Sequence, residues 1–154
     1  MRAIDAVHKP PVTIDSAATV TEAAQVMNQE SVGALVVTEK DRAVGLVTDR
    51  DLVVRGMARR APTDARVDSV MSTDLVTLSL DADIHDALDQ FREHDIRRLP
   101  LMDGDHVVGV LTVDDLIIDL ARDLGSLLGP VAGQVALAKP EPALPVLQQP
   151  TPVS

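Results

Sequence analysis

The sequence has no cysteine, no tryptophan and no tyrosine, and its one aromatic residue is Phe91. The lack of cysteine excludes disulfides, thiolate catalysis and cysteine-based zinc or iron–sulfur sites. Since aromatic side chains are almost absent, a bound flat ring must lie between aliphatic side chains and backbone rather than on a stacking platform.

Basic charge is also scarce, because 14 lysines and arginines stand against 24 aspartates and glutamates, which gives a formal net charge of −10. Nucleic acids and anionic membranes need a basic face, so we expect neither as a partner, although a few local arginines could hold a small anion. No apolar run reaches the roughly 20 residues that span a bilayer. Asp5 and the segment 8–11 interrupt any signal-peptide-like stretch, so we expect a cytoplasmic protein.

A seven-residue phrase occurs twice, at Gly45–Asp51 and at Gly109–Asp115, with the shared frame Gly, two aliphatic residues, Thr, two variable residues, Asp. Segments 12–55 and 76–119 align without a gap at the same offset of 64 residues. This predicts an internal duplication. Because one copy alone would bury too little surface to be stable, we expect the two copies to pack through their sheets into one pseudo-two-fold module.

Hydrophobic periodicity predicts a lead-in helix followed by strand, helix, strand, strand and helix in each copy, so the fold class is α/β (α+β) with two β-α-β-β-α repeats. The expected helices are 2–9, 19–29, 48–59, 67–71, one that carries residues 84–91, and 112–124; the expected strands are 12–14, 35–37, 43–47, 76–78, 99–101 and 107–111.

The repeats also define the expected domains. The first repeat is 1–60, the linker 61–66 and the second repeat 67–128, followed by a proline-rich tail, 129–154, that we expect to be mobile. Within that tail, 131–137 could order by continuing the last helix or by packing on a partner.

The threonines and aspartates of the repeated phrase, Thr48 with Asp51 and Thr112 with Asp115, fall where a strand gives way to a helix. A carboxylate in the first helical turn can accept from the two vicinal hydroxyls of a ribose, and the helix N-terminus can attract a phosphate. Thr-x-x-Asp is also an ordinary capping arrangement. Its occurrence at two equivalent places, each with a preceding glycine, favours ribose binding. Gly45 and Gly109 permit close backbone approach or an unusual backbone angle.

The element order with Gly-aliphatic-aliphatic-Thr-x-x-Asp at the last strand–helix junction resembles the cystathionine-β-synthase (CBS) domain pair, or Bateman module. Val67–Met71 before the second repeat and Arg97–Leu101 within it are typical of the same family, and the likeness covers residues 2 to about 125. It is similar to the stand-alone, two-repeat bacterial form. The resemblance implies adenosyl ligands such as AMP, ADP, ATP, NAD or S-adenosylmethionine, and pairing of two modules into a disc-like homodimer.

The resemblance also implies where the rest of the ligand would lie. The adenine slot would be formed by Pro11, Val12, Thr13, Leu75, Val76 and Thr77, which could equally be strand residues that fill the core. Arg97 and Arg98 align with family positions that contact phosphate, with two solvated arginines as the alternative.

The two pockets are expected to differ in charge. Gly33 and Ala34 occupy the first-repeat positions that correspond to Arg97 and Arg98, and Arg50 stands in the place of Asp114. Arg50 is therefore a candidate phosphate contact of the first turn.

No catalytic chemistry is evident. His85, Asp89 and His94 do not supply the three or four converging ligands that zinc needs, so we expect no metal, and no nucleophile–base set is present, so we expect no enzyme and no catalytic cofactor. The predicted function is a regulatory adenine-nucleotide sensor that acts by ligand-linked conformational change in a homodimer and is read by an unknown effector protein. The alternatives are a ligand-free dimeric scaffold with degenerate pockets and, less favoured, an adenylate-processing enzyme.

Overall fold

The computed structural model describes residues 1–137, with side chains described for residues 1–129. The chain divides into two units, of which the first, Met1–Asp119, contains both sheets. The second unit begins at Leu120 and contains the remainder of the last helix. The predicted mobile tail lies outside the described residues from position 138 onward.

The first repeat contains β1 (Thr13–Asp15), α1 (Val20–Glu30), β2 (Ala34–Glu39), β3 (Arg42–Thr48) and α2 (Asp49–Asp51), which continues as a π-helix over Leu52–Met57. The second repeat contains β4 (Leu78–Ser79), α3 (Ile84–His94), β5 (Arg98–Asp103), β6 (His106–Thr112) and α4 (Val113–Leu137). A short 3-10 turn, the lead-in, precedes the first strand of each repeat, at Ala3–Ala6 and at Val67–Ser69. The predicted α+β class and the order of elements are confirmed.

Each repeat builds its own three-stranded sheet with the same topology, in which the first strand pairs parallel to the second and the second pairs antiparallel to the third. The hairpin register shifts between Val37 and Thr38 in one sheet and between Leu101 and Met102 in the other. These positions are 64 residues apart, so the duplication includes the β-bulge.

Two apolar clusters form the core, one under each sheet. The first gathers Ile14, Ala23, Met27, Leu35, Val37, Val47, Val67 and Val70, and the second gathers Ala3, Ala6, Ala87, Phe91, Leu99, Leu101 and Leu111. Val36 and Pro100 are fully buried but belong to neither cluster. Because side chains alternate along a strand, Val36 and Pro100 point away from these clusters, to the opposite face of each sheet. Strands β3 and β6 are in contact across the two repeats.

The lead-in turns are exchanged between the repeats, which the sequence did not predict. Ala3 N–H donates to the Ala82 carbonyl at 2.8 Å, so the start of the chain packs on the second repeat. Val67 N–H donates to the Ala18 carbonyl at 2.8 Å, so the second lead-in packs on the first repeat. Each lead-in therefore closes the core of the other half.

Four predicted helices are corrected. The lead-ins are 3-10 turns rather than helices over 2–9 and 67–71. The helix predicted over 48–59 is α-helical only over Asp49–Asp51 and then π-helical, as shown by the Ala58 N–H bond to the Val53 carbonyl at 2.8 Å. The last helix does not end near Leu124 but runs to Leu137, because glycines lower helix preference without forbidding the helix. Residues 131–137 therefore continue the last helix, which was one of the two expectations for that segment.

The first full helix, α1, begins with the predicted capping box. Thr19 Oγ1 accepts from Glu22 N–H at 3.1 Å, and Glu22 Oε2 accepts from Thr19 N–H at 2.7 Å. The equivalent cap of α3 is Asp83, where hydrogen bonds from the backbone and then the side chain of His85 lower the pKa of the carboxyl to about 2. Asp83 is therefore still ionised at a pH at which an ordinary aspartate is protonated.

Replacing Thr19 with alanine should lower the free energy of unfolding by about 1 kcal/mol, because the Glu22 N–H in the first turn of α1 loses its side-chain acceptor. Urea denaturation measures the change. Thr63→Ala, an exposed threonine between the repeats, is the control and should leave the midpoint unchanged. Equal midpoints for the two variants would show that the box does not stabilise α1.

Candidate functional site

Both repeated turns form the same hydrogen-bonded cap. In the second repeat, Asp115 Oδ2 accepts from Thr112 N–H at 3.1 Å and from Thr112 Oγ1 at 2.7 Å, while Thr112 Oγ1 accepts from Asp115 N–H at 3.0 Å. In the first repeat, Asp51 Oδ2 accepts from Thr48 N–H at 2.9 Å and from Thr48 Oγ1 at 3.0 Å. The capping role is thus present at both turns, and it leaves the Oδ1 atom of each aspartate for another partner.

The two Oδ1 atoms have different surroundings. Asp51 Oδ1 lies 3.7 Å from Arg55 Nε, and the Asp51 side chain is only 16% exposed. Within residues 1–129, whose side chains are described, Asp115 Oδ1 has no hydrogen-bond or salt-bridge partner. Of the two aspartates, Asp115 is therefore the one whose Oδ1 pairs with no cation of the described residues, which leaves it available to a ligand hydroxyl.

A cavity of about 330 Å³ opens beside the second-repeat turn. Its lining combines three parts of the chain: the segment before β1 (Lys9, Pro10, Pro11, Val12), the connection from α1 into β2 (Ser31, Val32, Gly33, Ala34), and the second repeat (Arg97, Arg98, Val110, Thr112, Asp114, Asp115). The adenine-slot, phosphate and ribose candidates meet here across the two repeats, which local sequence patterns could not show.

The segment 9–12 is fixed near the second-repeat turn by its neighbours on both sides. His8 Nε2 lies 2.9 Å from Asp119 Oδ1 on α4. Val12 packs against the first core cluster, and its carbonyl accepts from Val36 N–H at 3.0 Å. Pro10 and Pro11 have no backbone N–H, so the segment between these anchors cannot pair as a strand there.

The first-repeat turn is covered by the second lead-in. Arg55 Nη1 donates to the carbonyls of Val70 and Met71 at 3.2 and 2.9 Å. Leu46 and Ser72 exchange two backbone hydrogen bonds, of 3.0 and 2.9 Å. Leu46 corresponds to Val110 by the repeat offset, and Val110 lines the cavity instead. The expected inequality of the two turns therefore has a steric component as well as a difference in charge.

Nine of the sequence-predicted candidates do not line the cavity: Thr13, Gly45, Thr48, Arg50, Asp51, Leu75, Val76, Thr77 and Gly109. Val76 packs against the second core cluster, as the alternative reading expected. Arg50 lies on α2, and its backbone N–H donates to Asp49 Oδ1 at 2.8 Å. Neither Gly45 nor Gly109 has a positive φ, so each serves close approach of a lead-in segment.

The cavity also contains residues that the sequence did not single out for it. Lys9 adds a third cation to Arg97 and Arg98, and Asp114 adds a second carboxylate to Asp115. The sequence did contain a signal for Asp114, because the equivalent position in the first repeat is occupied by Arg50. Lys9 had no such signal, because it reaches the site only through the exchanged lead-in.

The phosphate candidates lie at the junction of the repeats. Arg97 Nη2 donates to Asp114 Oδ1 at 3.2 Å. Arg98 reaches over Gly33, where a Cβ atom would lie 2.9 Å from Arg98 Nη2 and 3.1 Å from Asp49 Oδ2. The missing side chain at Gly33 thus makes room for a guanidinium from the other repeat.

Two other kinds of site have no support in the described residues. Within residues 1–137, no group of three or more histidine, aspartate or glutamate side chains gathers in a way that could hold a metal ion. The helices of the same region include none with the length and apolar character that crossing a membrane requires.

The duplicated sheets, the exchanged lead-ins and the capped turn beside a cavity define a tandem-repeat module of the α+β class. The CBS domain model matches residues 3–57 and 67–122, and the chain belongs to this family. The CBS domain-containing protein YhcV of Bacillus subtilis is 36% identical over 107 residues, which cover 70% of this chain and 76% of that protein.

Solved structures show the same fold. The crystal structure of Hypoxic Response Protein I with two coordinated zinc ions has a TM-score of 0.68 and 28% identity, covering 76% of this chain and 97% of that one. The CBS domain pair of MJ0100, in complex with 5′-methylthioadenosine and S-adenosyl-L-methionine, has a TM-score of 0.72 at 21% identity, covering 80% and 98%.

Proposed function

We propose that this chain is a regulatory sensor of adenine nucleotides that binds its ligand in the cavity beside Thr112 and Asp115. One observation carries the proposal: an available carboxylate oxygen, three cations and an apolar wall of Pro11 and Val12 meet in one cavity. Its volume of about 330 Å³ falls in the range of small-molecule sites. MJ0100, which shares the fold, binds adenosyl compounds, and this supports the ligand class.

The parts of the cavity suit the parts of an adenylate. Asp115 Oδ1 would accept from the ribose hydroxyls, and the fork of Arg97 or Arg98 would bind phosphate oxygens in pairs. Pro11 and Val12 would cover the adenine ring, consistent with a chain that has no tryptophan or tyrosine to stack on it. AMP, ADP and ATP fit this arrangement, and NAD and S-adenosylmethionine are the further candidates.

The proposed mechanism is linkage and not catalysis. Residues of both repeats, 1–60 and 67–128, line the cavity, so a bound ligand would contact both and hold them together. A ligand that binds one arrangement more tightly shifts the population toward it, and a partner protein would read the new shape. We propose on this basis a regulatory role, which we place in the cytoplasm and which would need no catalytic cofactor.

We further propose that the module forms a homodimer through its helices. Val53, Val54 and Met57 on the π-helix and Ile117 and Ile118 on α4 are large apolar residues that are 45–76% exposed. Apolar exposure of this kind marks interaction surfaces. Sedimentation equilibrium should report a dimer, and Met57→Lys should shift it toward monomer; a wild-type monomer at all concentrations would contradict the proposal.

Isothermal titration with adenosine, AMP, ADP, ATP, NAD and S-adenosylmethionine tests the ligand. Binding of at least one in the micromolar to millimolar range is expected. Because the chain lacks tryptophan and tyrosine and its one phenylalanine absorbs only weakly near 260 nm, a strong 260 nm band in purified protein would reveal bound nucleotide. If no adenosyl compound binds and no such band is found, the ligand-free scaffold is the better description.

A further inference from the structure

The two carboxylates of the cavity have different tasks. Asp115 is held by three hydrogen bonds with Thr112 and caps α4. Asp114, one residue earlier, makes an ion pair with Arg97, with 3.2 Å between Oδ1 and Nη2. Both side chains of this pair are open to solvent, 71% exposed for Arg97 and 72% for Asp114. Asp114 is thus free to leave its partner without disturbing the cap.

The same guanidinium cannot serve two anions equally well. A phosphate that enters beside Arg97 must replace the carboxylate of Asp114, which then remains nearby as a like charge. Exposed ion pairs are weak, so the replacement is readily reversible. A phosphate carries close to two charges and three acceptor oxygens, so it can win this exchange, but with less affinity than it would have without Asp114.

We propose that Asp114 is a specificity-determining residue of the cavity, which competes with the ligand's phosphate for Arg97. Asp114 lowers the affinity for phosphorylated adenosyl ligands and leaves the affinity for uncharged ones unchanged. The inference rests on the proposed function for its ligand class. The competition itself requires only an anion that binds at Arg97.

The duplication supports a specific task for this charge. Asp115 and Thr112 are matched by Asp51 and Thr48 in the first repeat, whereas the position of Asp114 is held by Arg50. The helix N-terminus therefore does not require an acid there, because the same fold forms with a cation in that place. Asp114 and Arg97 occur together at the turn with the open cavity, and the covered turn has neither.

The test compares wild type, Asp114→Asn and Asp64→Asn by isothermal titration with adenosine, ATP and inorganic tripolyphosphate. Asp64 is an exposed carboxylate of the linker and does not line the cavity, so its replacement controls for net charge. Asp114→Asn should tighten ATP and tripolyphosphate by about twofold to fivefold and leave adenosine unchanged. The gain should shrink in about 1 M salt, where the Debye length is about 3 Å.

A double-mutant cycle with Arg97→Gln separates competition from simple repulsion. If Asp114 acts by occupying Arg97, the gain from Asp114→Asn falls when Arg97 is absent, and an undiminished gain would overturn this mechanism. No gain with ATP or tripolyphosphate, or an equal gain with Asp64→Asn or adenosine, also overturns it. If no adenosyl compound binds but Asp114→Asn still tightens tripolyphosphate, the proposed function fails and the role of Asp114 stands.

Discussion

Asp115→Asn should weaken adenosine binding by about tenfold to hundredfold, whereas Asp51→Asn should leave it unchanged. A hydrogen bond to a charged group contributes about 1.5–3 kcal/mol, and each 1.4 kcal/mol is a factor of ten in affinity. Asp115 Oδ1 opens on the cavity, while Asp51 Oδ1 lies beside Arg55 under the second lead-in. Adenosine is the right probe because it reports the ribose contact without the phosphate.

The two variants are matched controls for each other. Both aspartates make the same set of hydrogen bonds with the threonine three residues earlier, so loss of the cap should lower stability to a similar, small extent in both variants. Asp51→Asn also loses the ion pair with Arg55. Isothermal titration gives the affinity, and urea denaturation shows that the folded state survives. If Asp51→Asn weakens adenosine binding as strongly as Asp115→Asn does, the ligand uses the first turn and the assignment to the open cavity is wrong.

The two turns have the same sequence frame but different surroundings, and only the frame could be predicted from the sequence. The sequence contains the complete Thr-x-x-Asp frame twice, and the structure forms the same cap twice. The feature that makes the two turns different depends on residues far apart in sequence. Arg55, before the linker, donates to the carbonyls of Val70 and Met71, after the linker, and so holds them over the first turn. Local patterns report caps well because donor and acceptor are three residues apart.

The helices show the same contrast between local features, which could be predicted, and features that local patterns do not report. Helix α1 was predicted over 19–29 and observed at Val20–Glu30, because a capping box and an apolar face define it locally. The π-helix after Asp51 was not predicted, since apolar spacing at 3.6 residues does not detect a change of hydrogen-bond pattern. The end of α4 was predicted near Leu124, with 131–137 as a possible continuation, and the helix runs to Leu137 because apolar spacing does not locate a helix end.

The cavity could be predicted in its parts but not in its assembly. Pro11, Val12, Arg97, Arg98, Thr112 and Asp115 were all candidates, and they line one cavity together with Lys9 and Asp114. No local pattern indicated that the segment before β1 would lie beside the turn of the other repeat. That placement depends on the exchanged lead-in, which Ala3 and Ala6 anchor in the second core cluster.

The exchanged lead-ins also determine the largest stability effect that we expect from the repeated phrase. Gly45→Ala should lower the free energy of unfolding by about 1–3 kcal/mol, the usual range for overpacking. A Cβ atom at Gly45 would overlap the sulfur of Met71 and lie 2.9 Å from the Ser72 carbonyl oxygen. That oxygen accepts from Leu46 N–H at 3.0 Å, so it cannot retreat without loss of the bridge that covers the first turn.

Substitutions at two further glycines, Gly109 and Gly56, serve as controls for this prediction. At Gly109 the added atom would meet the side chain of Val7 at 3.0 and 3.2 Å, and a side chain can turn away where a backbone carbonyl cannot, so Gly109→Ala should cost less than Gly45→Ala. A Cβ atom added at Gly56 would meet no other side chain or strand within 4 Å, so Gly56→Ala should stabilise the helix by up to about 1 kcal/mol. Urea denaturation of the three variants should place Gly45→Ala lowest and Gly56→Ala above wild type. Equal losses at Gly45 and Gly109 would mean that the second lead-in yields as easily as the first, and the closure of the first turn would then not be the rigid feature that makes the two sites unequal.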